Sequence, residues 1–229
     1  LVKYLRDLSY RLQDEVISQV PGELVNLKRY WVFNGFYCEA TKDQILALAK
    51  DPRVAYVVDN REVRVLDPPK PGEKSKTPEW NISKIGADRV WNDYGIDGSG
   101  RVIGAMDTGV DTSHPALRGK MRQDHGWFDA VSGNPNPYDD YGHGTHVTGT
   151  MVGGDGPGPF TNDIGVAPGA QFIHVKAINS YGTTTFKMLH DGFQWIADLA
   201  ELGLEPDAVQ NSWGWPINME SLEYWHDVL

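Results

Sequence analysis

Arg101-Val-Ile-Gly-Ala-Met-Asp107, followed at once by Thr108-Gly109, is the stretch that decides the fold. A short apolar run that ends on a carboxylate has the form of a strand buried on both faces of a parallel sheet. Open parallel sheets gather ligands at the carboxyl edge of their strands, so Asp107 stands where a functional acid is expected. An Asp in that position also serves as an ordinary turn or helix cap. Downstream, Gly165-Val-Ala-Pro-Gly169 turns the chain into a second predicted strand, Ala170-Gln-Phe-Ile-His-Val-Lys-Ala-Ile178, and Asp207-Ala-Val-Gln-Asn-Ser-Trp213 reads as a third, ending at Gly214. Thr184 or Thr185 can cap the helix between them, whose Phe186, Leu189, Phe193, Ile196 and Ala200 keep a three/four period and predict a core-facing stripe. Alternating strands and helices with short connections give an α/β class with a mostly parallel sheet and flanking helices. A dinucleotide-binding fold fails on order, because Gly98-Ser-Gly100 precedes the first strand instead of following it into a helix.

Between the first two strands lies Asp139-Asp-Tyr-Gly-His-Gly-Thr-His146, running into the small-residue segment Val147-Thr-Gly-Thr-Met-Val152. This predicts a tightly packed helix with His143 at its start, where the positive dipole end favours neutral imidazole and suits a general base. A satisfied structural histidine is the plainer alternative. His143 and His146 also suggest metal ligands, but they lack the Glu-x-x-His form and no third ligand motif follows.

Outward from this region the composition changes. The net charge is −10 over 229 residues, yet residues 1–76 carry 13 basic and 11 acidic side chains and 3 of the 25 glycines, leaving an acidic, glycine-rich remainder. Two modules follow, joined at the proline-rich Asp67-Pro-Pro-Lys-Pro-Gly-Glu-Lys-Ser-Lys-Thr-Pro78. We assign residues 1–66 to a small α+β domain, 67–80 to a linker and 81–229 to the second domain. The first reads α-β-β-α-β. Leu1, Leu5, Leu8, Leu12 and Val16 form a helical stripe, and Pro21-Gly22 ends that helix. Leu24–Leu27 and Tyr30–Cys38 are predicted strands, the second broken or bulged at Asn34-Gly35. Thr41 and Gln44 form a capping box for a second helix, and Val54–Val58 is the last strand. Cys38 among aromatic residues predicts an inert thiol and excludes an internal disulfide framework. The acidic body excludes a nucleic-acid partner, and no run approaches the ~18 apolar residues of a membrane span.

Taken together, Asp107-Thr-Gly-Val110, Asp111-Thr-Ser-His-Pro-Ala-Leu117, Gly142-His-Gly-Thr-His-Val-Thr-Gly-Thr150 and Gly165-Val-Ala-Pro-Gly169 have the order and spacing of the subtilisin-like serine proteases. The chain resembles that family over about residues 80–215. Asn81-Ile-Ser-Lys-Ile-Gly-Ala87, Pro137-Tyr-Asp-Asp140 and Asn211-Ser-Trp-Gly214 look most like its bacillopeptidase F branch, and the first module resembles the inhibitory pro-segment of such enzymes. The resemblance implies a subtilisin-like sheet, with Asp107 as the orienting acid of a triad, His143 as its general base and His146 as a structural residue. It also implies polypeptide substrates, bound in extended form along Gly182-Thr183-Thr184 and Ser212-Trp213-Gly214, and a pro-segment that docks on the catalytic domain.

Trp213 replaces a smaller aliphatic residue usual in the family, which alters the expected shape of the specificity site. No cofactor is required for the chemistry. A structural calcium is the one ion the resemblance raises; its ligand set departs from the family at Ala116 and matches at Asn162. No Gly-Thr-Ser-type nucleophile motif occurs before Leu229, so the expectation is an incomplete domain, inactive alone, whose missing C-terminal part carries the serine. Ser221–Leu229 reads as a helix start. A secreted enzyme precursor is the leading expectation, its export signal lying outside a chain that begins at Leu1. A non-catalytic, inhibitor-like binding module is the rival from another class, and a metallohydrolase using His143 and His146 is the third.

Overall fold

The computed structural model describes residues 1–64, 80–154 and 164–214. Its elements run α1 (Val2–Ile17), β1 (Val25–Tyr30), β2 (Gly35–Glu39), α2 (Lys42–Lys50), β3 (Glu62–Arg64), α3 (Trp80–Ile85), α4 (Ala87–Tyr94), β4 (Val102–Asp107), β5 (Trp127–Asp129), α5 (His143–Val152), β6 (Gln171–Lys176), β7 (Thr183–Thr185), α6 (Phe186–Asp198) and β8 (Ala208–Gln210). The expected linker residues 67–79, Asn162 and the helix start at Ser221 lie outside the described residues. The chain divides into two compact units, one of residues 1–62 with 185–203 and another of 63–184 with 204–215.

In the second unit, β5-β6-β4-β8 form one parallel sheet. Strands β4 and β6 lie at its centre, in register from Val102 opposite Gln171 to Asp107 opposite Lys176. Ala105, Met106, Phe172, Ile173 and Val175 are buried, as continuous apolar runs predict. Burying each of the larger side chains contributes about 1.5 to 3 kcal/mol. On one side, Val110, Leu117, Val152, Ala170 and Phe172 form a core into which Ile103, Met121, Trp127 and Met151 also pack, which attaches α5 to the sheet. Strand β5 is a three-residue piece with no sequence signal of its own. It is recruited by pairing Trp127–Asp129 with His174–Lys176. Val63–Arg64 and Thr183–Thr184 belong to β3 and β7, which pair as a separate two-stranded sheet.

In the first unit, β1 and β2 make an antiparallel hairpin across the turn Trp31–Asn34, with Asn34 at φ +53°. The break expected at Asn34-Gly35 within Tyr30–Cys38 is this turn, with Tyr30 ending β1 and Gly35 opening β2. The capping box is present, with the Gln44 amide donating to Thr41 Oγ1 at 3.4 Å and the Thr41 amide to Gln44 Oε1 at 2.9 Å. Val54–Val58 has no strand pairing, and Tyr56, Val57 and Val58 are exposed.

Helix α1 also departs from its predicted stripe. Leu1, Leu5 and Leu12 are exposed, while Ser9, Gln13 and Val16 are buried. Polar pairing turns the helix: Gln13 Nε2 donates to the Tyr30 carbonyl at 2.8 Å, and Gln13 Oε1 accepts from Arg29 Nε at 3.0 Å. Leu12, Val16, Phe36, Ile45, Val54 and Val58 line an open cavity of about 830 Å³.

Helix α6 completes this unit with a polar face. Tyr30 is fully buried and its hydroxyl donates to Asp191 Oδ1 at 2.5 Å; Lys28 and Lys187 each reach the same carboxylate at 2.8 Å. Gln194 Oε1 accepts from the amides of Trp31 and Val32, and the Trp31 indole donates to Asp198 at 2.7 Å. His190 packs against Phe33, with ring centroids 4.2 Å apart, and burial lowers its pKa to about 4. Leu189 of the expected apolar stripe is buried, but Phe186, Phe193, Ile196 and Ala200 are only partly so. The buried face of α6 is as much Asp191 and Gln194 as it is leucine.

Candidate active site

Asp107 is the last residue of β4 and His143 the first of α5, so one side chain stands at the carboxyl edge of the sheet and the other at a helix start above it. Asp107 is fully buried and His143 nearly so. His143 Nδ1 lies 2.6 Å from Asp107 Oδ1, which also accepts the Thr108 amide at 2.7 Å. Asp107 Oδ2 is buried with no hydrogen-bond partner among the described residues.

The close approach depends on Gly144. A Cβ there would lie 2.1 Å from the Gly109 carbonyl oxygen and 3.2 Å from Asp107 Cβ. Gly142 caps the helix with φ +94°, a conformation side chains rarely adopt.

The hydrogen bond to Asp107 raises the His143 pKa above its ordinary value, against the opposing effect of burial. The helix-dipole expectation of a depressed pKa is thus outweighed by a carboxylate in direct contact. With Nδ1 engaged, Nε2 is the nitrogen left for proton exchange. Such a pair can take a proton from a nucleophile and stabilise the imidazolium that forms.

The other sequence-predicted positions separate into two groups. Ser212 lines a cavity of about 300 Å³ with His143, His146, Val147, Thr150, Met151 and Gln210. Trp213 is anchored inward, its indole donating to the Met106 carbonyl at 3.0 Å, next to Asp107; Gly214 follows it, half-buried. Gly182, Thr183 and Thr184 form the second group, at the start of β7. Thr183 Oγ1 and its amide both donate to Asn179 Oδ1, Thr184 is buried with its hydroxyl on the Ala177 carbonyl, and Gly182 sits against the Tyr141 ring.

His146 is exposed, and among the described residues no group of three His, Cys, Asp or Glu is placed to hold a metal ion. At the expected calcium position, Ala116 offers only its carbonyl, which accepts the Gly154 amide at 3.0 Å.

Two residues behind this pair are absent from the sequence-based expectation. Lys176 is completely buried and donates to Asp140 at 2.6 Å, to the Ile178 carbonyl at 3.1 Å and to the Thr108 carbonyl. Asp139 accepts from both Thr108 and Thr145. A lysine ending an apolar strand and an acid four residues before a helix-start histidine are the available signals.

The model of the subtilase family matches residues 98–223, more than half of the chain and both members of the pair. The chain belongs to the subtilase family. A second family model, peptidase inhibitor I9, matches residues 10–66, so this subtilase carries an inhibitor-type pro-domain ahead of a subtilisin-like sheet. Bacillopeptidase F of Bacillus subtilis is 36% identical over 91% of this chain and 16% of its own length. The thermostable alkaline protease of Halalkalibacterium halodurans is 33% identical over 69% of this chain and 39% of its own. Subtilisin E of Bacillus subtilis is 28% identical over 94% and 51% respectively. The chain therefore spans between about a sixth and about half of the length of these relatives.

Proposed function

We propose that the chain is the pro-segment together with the Asp/His half of a secreted serine endopeptidase. The observation that carries this reading is the buried 2.6 Å contact between Asp107 Oδ1 and His143 Nδ1 at the carboxyl edge of the sheet. Asp107 fixes the tautomer that presents Nε2 as base, His143 takes the proton of a serine hydroxyl, and the carboxylate stabilises the resulting imidazolium. The nucleophile is one that residues 1–229 do not contribute, since their sequence holds no motif of the required type. By itself the chain is inactive.

Substrate is an extended polypeptide, held between the edges at Gly182–Thr184 and Ser212–Gly214. The pairing of β7 with β3 supports this, because that edge already takes an extended segment of the chain itself. The first module acts as an inhibitory pro-segment through Tyr30, Trp31 and their partners on α6.

Hydrolysis of a fluorogenic peptide by the full-length gene product tests the reading. His143→Ala should lower turnover by about 10⁶, the loss that accompanies removal of a triad base in subtilisin, a relative of this chain. Turnover unchanged by that substitution would refute the assigned role.

A further inference from the structure

Helix α5 starts without a side-chain cap of its own. Its N-cap is Gly142, which has no side chain to satisfy the free amides of the first turn. Two of those amides, of Gly144 and Thr145, are satisfied by residues from outside the helix. Thr108 Oγ1 accepts the Gly144 amide at 2.8 Å, and Asp139 Oδ2 accepts the Thr145 amide at 2.9 Å and the Thr145 hydroxyl at 2.6 Å. The other oxygen, Asp139 Oδ1, accepts from Thr108 Oγ1 at 3.0 Å, from the Tyr141 amide at 3.1 Å and from the Gly142 amide at 2.8 Å. One carboxylate thus takes five hydrogen bonds. Its partners include the residue after Asp107, the residue before His143 and the residue two beyond His143.

We propose that Asp139 is the positioning residue of the Asp107–His143 pair, fixing the end of β4 to the first turn of α5 and setting a second negative charge beside the imidazole. The proposal deepens the serine-peptidase reading and rests on it. Local backbone pairing supports the clamp: Gly109 bridges Asp139, and the Val110 amide donates to the Tyr138 carbonyl at 3.1 Å. Burial alone would push the Asp139 carboxyl up; the hydrogen bonds from Thr145 and from the Gly142, Thr145 and Tyr141 amides outweigh burial and hold it below the usual carboxylate range. The acid therefore stays ionised at neutral pH, and its charge adds to that of Asp107 in favouring the protonated ring.

The test follows the His143 ring by NMR in the 229-residue chain, through its titration midpoint and the low-field Nδ1 proton shared with Asp107. Asp139→Asn keeps an acceptor oxygen and removes the charge; the midpoint should fall below that of the wild-type chain while the overall chemical-shift dispersion is retained. Asp107→Asn should lower it too and abolish the low-field signal. A midpoint unmoved by Asp139→Asn but moved by Asp107→Asn overturns the role of Asp139 alone. A midpoint unmoved by either overturns the pairing on which the functional reading stands. Should Asp139→Asn unfold the chain, Thr145→Val keeps the charge and removes one tie to the helix. Faster solvent exchange of the Nδ1 proton then supports the clamp, and unaltered exchange overturns it.

Discussion

Replacing Gly144 by alanine sets two opposing effects against each other at the site. Alanine inside a helix is favoured over glycine by about 1 kcal/mol, so helix propensity predicts a more stable protein. The new Cβ, however, would stand 2.1 Å from the Gly109 carbonyl oxygen, about 1.3 Å short of the 3.4 Å at which ordinary contact begins. The carbonyl belongs to backbone that cannot rotate away, so the start of α5 has to retreat. Overpacking of this kind costs about 1 to 3 kcal/mol.

A retreat of about 1.3 Å also takes the 2.6 Å contact between His143 and Asp107 beyond hydrogen-bonding distance. The loss of a bond to a buried charge adds about 1.5 to 3 kcal/mol. The net expectation is destabilisation by about 1.5 to 5 kcal/mol, read as a lower urea midpoint with unchanged slope. It should be accompanied by loss of the low-field Nδ1 proton and a lower His143 titration midpoint. A Gly144→Ala chain that gains stability and keeps that proton would refute the claim that close packing at Gly144 builds the pair.

Stability should fall as the solution is acidified through the histidine range. His174 is wholly buried and His190 largely so, and burial lowers both pKa values from 6.5 to about 4. The unfolded chain binds protons that the buried rings refuse, so their contribution is present above pH 6.5 and is lost as pH falls towards 4. His143 has the opposite sign, its raised pKa contributing stability below 6.5 that is lost at higher pH. Urea midpoints measured across this range should decline on acidification, less steeply for His190→Phe; a flat profile would contradict the burial. In the first unit, Tyr30→Phe removes the buried hydroxyl from Asp191 while Lys28 and Lys187 remain, at a cost of about 1 to 2 kcal/mol. Hydrogen exchange at the Trp31 and Val32 amides, which both donate to Gln194, should quicken, and unchanged protection would contradict the contact.

The parallel sheet is legible because β4 and β6 are central, and a strand covered on both faces leaves its mark as an unbroken apolar run. The carboxyl-edge rule then points to Asp107. Strand β5 leaves no such mark, since three residues are too few for periodicity and its existence depends on the partner it finds in β6. The helix faces depart from expectation for one reason in both α1 and α6: burial by polar pairing is invisible to a hydrophobic count. The leucines of α1 are displaced by Ser9 and Gln13, and α6 buries Asp191 and Gln194 because Tyr30 and Trp31 supply their partners. At the site, the glycine-flanked motif marks His143. Its pKa direction depends on a carboxylate thirty-six residues away in sequence, which no helix-end argument could include.

Asp107 acts through His143, and the turnover of an Asp107→Asn variant of the full-length gene product measures that most directly. Asparagine preserves the shape of the site but favours the wrong imidazole tautomer, so kcat should fall by about 10⁴ with KM little changed. A variant that retains kcat within a few-fold of the wild-type enzyme would contradict it.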